Sequence, residues 1–154
     1  MSSTLNRIEN NFLFTQSAEF YYPNVDEINL NFVYKQLTFK TNDITRIAIE
    51  TAYKDVPQGN IFRALGPNAK IKSVYLNQDG MAYVDFSKEL ISEMNTGSGY
   101  EVQVLQCIAN TVGRYYSVNK ISFTVEGIPY ASGHVLFKKD EAFIVDLSIS
   151  SELK

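Results

Sequence analysis

The chain contains one histidine, His134, and one cysteine, Cys107, so these two side chains are the first candidates for chemistry. A histidine can act as a general base or a metal ligand, and a thiolate can act as a nucleophile. Zinc needs three or four His, Cys or carboxylate ligands, and this pair does not supply them. Because Cys107 lies within a predicted amphipathic helix, we interpret it as a packed thiol. We interpret His134 as a loop residue. We predict no metal site, and a single cysteine excludes an intrachain disulfide.

A second candidate is the group Asp85, Ser87 and Glu89, which could be imagined as a catalytic set at the end of a predicted strand. Asp and Ser are also the residues that cap helices, because their oxygen atoms accept hydrogen bonds from the first backbone N–H groups. A helical turn is predicted to follow at this point. We therefore interpret Asp85 and Ser87 as helix-capping residues without a chemical role.

A third candidate is the Gly-Ser-Gly run at residues 97–99, because helix N-termini can bind phosphate. The run lacks the Gly-Lys-Ser/Thr of a P-loop and the three spaced glycines of a dinucleotide site, and Glu101 adds a competing negative charge. Ser98 and Glu101 instead match the Ser-x-x-Glu capping box. We predict no catalytic, cofactor-binding or metal-binding residue, and we expect that the chain is not an enzyme.

The overall composition indicates one globular domain and argues against nucleic acid as a partner. The chain has 154 residues, of which 45% are hydrophobic and 20% charged, and its formal net charge is −3. A chain of this length can bury one sizeable core. The sequence shows no long run of Lys or Arg, so it predicts no basic surface that would attract the phosphate backbone of a nucleic acid. No apolar run is long enough to span a bilayer, and the first 16 residues do not resemble a signal peptide.

Hydrophobic periodicity predicts the elements of the first half. Ile28, Leu30 and Phe32 alternate with polar residues, which predicts a strand near 27–38, and residues 18–22 form a possible short extra strand. A helix is predicted over 43–54, with Asn42 as its cap. The stretch 56–69 is predicted to be a loop with a short helical turn.

The second half contains a hairpin, a long helix and another strand. Two strand-like runs, 70–77 and 81–86, are separated by Gln-Asp-Gly, which is typical of a tight antiparallel turn. A long helix is predicted to begin at Ser98, with apolar residues at three- and four-residue spacing. A strand follows at 118–125. Two further apolar runs, 135–137 and 142–149, extend or flank the sheet.

The predicted order is strand, helix, strand, strand, helix, strand. This order is typical of an α+β fold in which two helices pack on one face of a mixed, largely antiparallel sheet of four to six strands. We assign residues 1–17 to a polar N-terminal tether and 18–154 to a single domain. The aromatic residues near this boundary are predicted to pack in the core, although interface positions remain an alternative: Phe12, Phe14, Phe20, Tyr21 and Tyr22.

Several motifs occur in an order that resembles the sporulation and spore germination (GerMN) family. Residues 80–90 read Gly-Met-Ala-Tyr-Val-Asp-Phe-Ser-Lys-Glu-Leu, which is similar to the glycine turn, alternating strand and acidic-leucine step of that family. The resemblance continues through 97–99, the following helix and 118–129. It also extends upstream to 70–74, and more faintly to the first strand. About residues 27–143 are covered.

The resemblance implies a non-enzymatic protein-interaction or structural domain of the bacterial cell envelope, similar to ring-building modules and acting in sporulation or germination. It further implies an extracytoplasmic location in a Gram-positive bacterium, envelope or sporulation proteins as partners, and attachment through a signal or anchor outside the 154 residues. Many relatives carry two copies of the domain and a lipoprotein cysteine, which this sequence lacks. We expect a monomer or weak dimer in isolation. The alternative is a domain that binds a small ligand or cell-wall fragment.

Overall fold

Nine strands and three helices are found in residues 3–8, 11–40, 44–94 and 98–154, the parts of the chain that the computed structural model describes. The strands are β1 (Ser3–Ile8), β2 (Asn11–Pro23), β3 (Leu30–Lys40), β4 (Ile71–Leu76), β5 (Ala82–Phe86), β6 (Lys120–Val125), β7 (Ile128–Pro129), β8 (Phe143–Ile144) and β9 (Ser150–Glu152). The helices are α1 (Thr45–Lys54), α2 (Glu89–Ser92) and α3 (Ser98–Tyr116).

The first sheet has the strand order β1-β2-β3-β9. β2 pairs antiparallel with both β1 and β3, whereas β9 lies parallel to the start of β3, with Leu30 opposite Ser150. The short extra strand predicted at 18–22 is confirmed, but it is part of the much longer β2. The strand predicted near 27–38 is confirmed as β3, which begins later because Ile28 lies in a bend and is 75% exposed.

The segment assigned to an N-terminal tether takes part in this sheet. Residues 3–8 form β1, and residues 11–17 form the first part of β2. Polar residues are common here, and period-two alternation is therefore weak, which is why the sequence did not predict strands. Whether this segment also links the domain to something else stays a prediction.

The second sheet has the order β4-β5-β6-β7, with β8 also paired to β6. The predicted hairpin is confirmed, since β4 and β5 are antiparallel and Gly80 adopts a φ of +84° in the turn between them. β5 and β6 are parallel, with Ala82 opposite Ile121. A parallel pair needs a long crossover, and α2 and α3 provide it.

The two longer helices supply much of the core. α1 occupies the predicted position, although Asn42, its predicted cap, lies outside the described residues. α3 begins at the predicted Ser98. The apolar stripe of α3 packs against both sheets and, with buried residues of α1 and the strands, forms one core. The largest buried side chains of this core include Phe20, Tyr22, Tyr53, Phe86, Leu105, Ile108 and Tyr130.

The predicted α+β class and the order β-α-β-β-α-β are confirmed as β3-α1-β4-β5-α3-β6. The strands form two sheets rather than one, because β3 pairs with β2 and β9 and not with a strand of the second sheet. Among the described residues, no helix is both long and apolar enough to cross a membrane.

Candidate interaction edge

The outer edge of the first sheet is only partly covered. β9 uses the outward backbone groups of β3, since Leu30 N–H donates to the Ile149 carbonyl (3.0 Å) and Leu153 N–H donates to the Phe32 carbonyl (2.9 Å). Outward groups alternate along an antiparallel strand, so those of residues 34, 36 and 38 come next. In the part of the chain that the structure describes, no strand pairs with β3 on this side beyond Phe32. We call residues 34–38 the open stretch.

A groove of about 1100 Å³ separates the open stretch from α1. Leu37 is buried at its base, whereas Ile44 and Ile47 line it with 53% and 49% of their surface exposed. The opposite side of α1 carries Ile49 and Tyr53, which are buried in the core. The helix therefore has a second, mostly apolar side that faces the groove, where Ile47, Ala48 and Ala52 lie beside Thr51.

Lys35 is the charged residue of the open stretch, and its ammonium group is directed toward α1. Its Nζ donates to the Ala52 carbonyl (2.6 Å) and to the Asp55 carbonyl at the C-terminal end of the helix, where the helix dipole favours a positive charge. The Nζ also lies 5.7 Å from the ring centre of Phe20. Burial lowers the pKa of Lys35. The other face of the open stretch carries only the uncharged residues Tyr34, Gln36 and Thr38.

The opposite edge of the sheet is treated differently. β1 pairs with β2 only up to Gln16, and the rest of β2, which we call the closed edge, lies against α3. Here Tyr21 N–H donates to Thr111 Oγ1 (2.9 Å), and the Tyr53 hydroxyl donates to the Tyr21 carbonyl (2.6 Å). The Tyr22 hydroxyl in turn donates to the Tyr53 carbonyl (3.0 Å). The side chains of Thr111 and Tyr53 thus satisfy the two outward backbone groups of Tyr21, which a neighbouring strand would otherwise bind.

A second groove, of about 500 Å³, lies on the second sheet. Tyr75 and Tyr83, neighbours across β4 and β5, stack with ring centres 5.5 Å apart. The Tyr83 hydroxyl donates to Asp79 Oδ2 (2.5 Å), and this hydrogen bond raises the pKa of Tyr83. On the same side, Asp85 Oδ1 accepts hydrogen bonds from Thr124 Oγ1 (2.6 Å) and the backbone N–H of Gly127 (2.9 Å).

Cys107 is fully buried, which confirms its interpretation as a packed thiol. It lies with Tyr21 and Leu30 in a small apolar cluster between α3 and the first sheet. Burial raises the pKa of the Cys107 thiol well above its usual value. A thiolate is therefore strongly disfavoured at this position.

His134 is an exposed loop residue, as interpreted from the sequence. It borders a cleft of about 270 Å³ that also contains Ser132 and the buried Glu101. Within the described ranges, no three His, Cys, Asp or Glu residues are close enough to hold a metal ion.

Glu101 has a contact that the sequence reasoning missed, because its carboxylate accepts a hydrogen bond from the buried Tyr130 hydroxyl. Burial, with this contact as the second cause, raises the pKa of Tyr130. The signal was present in the sequence: Glu101 stands three and four residues before Val104 and Leu105, in phase with the apolar stripe of α3. The side chain of Ser98, the other half of the predicted capping box, lies outside the described residues, as does Gly97.

The interpretation of Asp85 and Ser87 as helix caps is wrong. Ser87 Oγ accepts the Lys70 backbone N–H (2.9 Å), and Ser87 N–H donates to the Lys70 carbonyl (2.9 Å). Asp85 holds Thr124 and the turn at Gly127. Both side chains therefore join neighbouring segments of the second sheet, because the backbone N–H groups closest to them belong to those segments and not to α2. Glu89 is the first residue of α2.

The aromatic residues of β2 that the structure describes are buried, as predicted: Phe20, Tyr21 and Tyr22 are each at most 1% exposed. The side chains of Phe12 and Phe14 lie outside the described residues.

A protein-family model described as sporulation and spore germination (Germane) matches residues 19–131. This span runs from the closed edge of β2 through both long helices to the end of β7. The chain belongs to the sporulation and spore germination family.

Solved structures of the GerMN fold show the same architecture. The first GerMN domain of the sporulation protein GerM from Bacillus subtilis is 17% identical, with a TM-score of 0.56, and the match covers 82% of this chain and 97% of that chain. The tandem GerMN domains of the same protein are 18% identical, with a TM-score of 0.54, and coverage is 82% of this chain and 46% of that chain.

A Clostridium perfringens protein assigned as a lipoprotein is 22% identical, with a TM-score of 0.53, and the match covers 84% of this chain and 87% of that chain. At these identities the likeness shows the fold alone. A comparison with curated protein sequences gives no match.

Proposed function

We propose that this GerMN-family domain is a non-enzymatic protein-interaction or structural module of the bacterial cell envelope that acts in sporulation or germination. The observation that carries the proposal is the open stretch of β3, which lies beside an apolar groove in a chain of this family. Unpaired strand edges bind other strands readily, so natural proteins cover or charge them unless they are used. The relatives named as a sporulation protein and a lipoprotein support an envelope location.

A non-enzymatic role is supported by the positions of the two residues best suited to chemistry. Cys107 is buried and His134 is exposed, and a nucleophile with its general base must lie within hydrogen-bond reach of each other. An extracytoplasmic location, reached through a signal or anchor, and envelope proteins as partners complete the proposal.

Deletion of the gene in the bacterium that encodes it tests this role. We expect a loss of heat-resistant spores or of their germination, measured as colonies before and after heating. Complementation with the wild-type gene, Cys107→Ser or His134→Ala should restore the count. Complementation with Ile47→Asp, which places a charge in the groove, should not. An unchanged count in the deletion strain would contradict the proposed process, whereas failure of a folded His134→Ala protein would contradict the non-enzymatic role.

A second candidate function is the binding of a small ligand or cell-wall fragment, and the stacked Tyr75 and Tyr83 favour it. Ligand sites combine aromatic walls with a few polar groups in a concavity of about 300–1,000 Å³, and the groove on the second sheet has these features. Titration of the purified chain with soluble muropeptides, followed by NMR, is the test. Shifts that centre on Tyr75 and vanish in Tyr75→Ala would support this function. Spectra that do not change at millimolar ligand would exclude it.

A further inference from the structure

We propose that the open stretch of β3 is a self-association edge: it pairs antiparallel with the same stretch of a second copy of this chain, about a two-fold axis at Gln36. The proposal deepens the interaction role given above by naming the surface and the occupant. Its test uses only purified protein, so its failure would leave the role in sporulation unaffected.

The available length of strand defines where the pairing can occur. Leu153 already donates to the Phe32 carbonyl, so β9 blocks the edge at its N-terminal end. A second β3 that runs antiparallel, with Gln36 opposite Gln36, places residue 34 opposite 38. It would reach Leu153 and the end of β9 where residues 39 and 40 of one copy meet residues 33 and 32 of the other. The open stretch therefore fits its own copy without displacing β9.

The side chains of the open stretch do not oppose this pairing. Edge strands that must stay unpaired commonly carry a charge without a partner, especially Lys, that a docked strand would bury. Here the ammonium group of Lys35 instead binds carbonyl groups at the end of α1. The other face brings Tyr34 opposite Thr38 and places two Gln36 amides side by side, where they can exchange hydrogen bonds. No like charges meet across the axis.

The interface would rest mainly on the two strand edges. On the α1 side, the residues of the second copy are its own Lys35 and Leu37, which already contact α1 and the core of that copy. Two five-residue stretches and the adjoining helix sides form a small interface, below the roughly 1,200 Å² of total buried area at which stable complexes become usual. The dimer is therefore weak, in agreement with the expected monomer or weak dimer in isolation.

Sedimentation velocity of the purified chain, from about 10 μM to about 1 mM, measures this association, because weak interfaces have dissociation constants in this range. We expect the mean mass to rise toward twice the monomer mass. Gln36→Pro should stay monomeric throughout, since proline removes an outward N–H while the bonds between β2 and β3 remain. Gln36→Ala is the matched control, because it keeps the N–H and should associate like the wild type. Unchanged circular dichroism would show that both variants fold.

A cysteine at the axis tests the two-fold arrangement directly. Opposed hydrogen-bonded residues have Cα atoms about 5.5 Å apart, which a disulfide can bridge. Gln36→Cys should therefore form a covalent dimer under mild oxidation, whereas Ile128→Cys, on the exposed β7, should not. Cys107 is buried and does not compete.

Three results would overturn the proposal. A wild-type chain that stays monomeric at about 1 mM would exclude the second copy as the occupant. Association of Gln36→Pro at the wild-type level would place the interface elsewhere. A third result would be that Gln36→Pro abolishes association while Gln36→Cys forms no disulfide. This result would show that the edge pairs with a different strand of the second copy.

Discussion

The closed edge of β2 and the open stretch of β3 belong to one sheet, yet their backbone groups are satisfied in different ways. At the closed edge, Thr111 and Tyr53 bind both outward backbone groups of Tyr21 in the interior. At the open stretch, the corresponding groups of Gln36 face a wide groove, which α1 lines mainly with isoleucine and alanine side chains beside Thr51. The two edges have the same hydrogen-bonding needs and differ in what lies beside them.

This difference shows what decides whether an edge is closed. A buried backbone group without a partner costs about 1–3 kcal/mol, so a helix that covers an edge must bring polar side chains to it. Water satisfies an exposed edge at no such cost, and the edge is then available to another strand. α3 brings Thr111 within hydrogen-bond distance of the Tyr21 N–H, whereas isoleucine and alanine occupy most of the side of α1 that faces the groove.

Alkaline pH should disrupt the closed edge most strongly. Burial raises the pKa of Tyr22 and raises that of Tyr53 well above its usual value. Beside the second sheet, burial also raises the pKa of Tyr116 to about 12. The folded state therefore holds these protons above pH 10, where the unfolded chain releases them, so stability is complete below about pH 10 and falls as pH rises. We expect unfolding between about pH 10 and 12. Circular dichroism should change together with the tyrosinate absorbance that the buried rings contribute, and ionisation of these buried rings in a chain that stays folded would contradict this account.

Removal of the Tyr53 side chain should have the next largest effect. Tyr53→Ala deletes a buried ring that contacts Phe20 and Tyr22 and leaves the Tyr21 carbonyl without its donor. Loss of a large buried aromatic side chain costs about 3–5 kcal/mol in unfolding free energy. Ile47→Ala, on the groove side of the same helix, is the control and should cost much less. Equal losses in urea denaturation would mean that the two sides of α1 are equally buried.

Thr111→Val removes the hydroxyl that accepts from Tyr21 N–H and donates to the Cys107 carbonyl, while valine keeps nearly the shape of threonine. Tyr21 N–H would lose its acceptor, and we expect unfolding free energy to fall by about 1–3 kcal/mol. Thr51→Val, on the exposed side of α1, should change it by less than about 0.5 kcal/mol. Hydrogen exchange at the Tyr21 amide should accelerate only in Thr111→Val. An unaltered rate would show that Thr111 does not protect this amide.

Lys35→Met should have the smallest effect. The variant keeps most of the apolar stem but loses the hydrogen bonds to the end of α1, and we expect a loss of about 1 kcal/mol in unfolding free energy. Lys120→Met, at an exposed position of β6, is the control. If Lys35→Met and Lys120→Met lose the same unfolding free energy, the Lys35 ammonium group is hydrated rather than bound to α1.

The sequence predicted those elements whose side chains follow one clear period. The alternating residues of β5, the Asp-Gly turn before it and the broad apolar stripe of α3 all lead to the observed structure. These signals are local, because each reports the burial of one face. The order of elements, and with it the α+β class, follows from them.

The division into two sheets and both edges could not be predicted in this way. Which strands pair depends on contacts far apart in the sequence, such as Tyr21 with Thr111, 90 residues away. β1 and the first half of β2 mix polar and apolar residues without a clear period of two, which hides these strands. Glu101 looked like part of a helix cap because its buried partner, Tyr130, is distant in the sequence. The open stretch exists because no described strand pairs with this side of β3 beyond Phe32. Hydrophobic periodicity carries no information about which strands pair.

The pairing of β9 with β3 has a consequence for how the chain folds during synthesis. Residues Asn31 and Ser151, opposite each other in these strands, are 120 positions apart. Ribosomes add about 5–20 residues per second, so roughly 6–24 s pass between the emergence of β3 and that of β9. For that time the whole outer edge of β3 is without its partner, and a nascent chain on a neighbouring ribosome could supply the missing strand. Exchange of β9 between copies is thus the form of misassembly to which this topology is most susceptible.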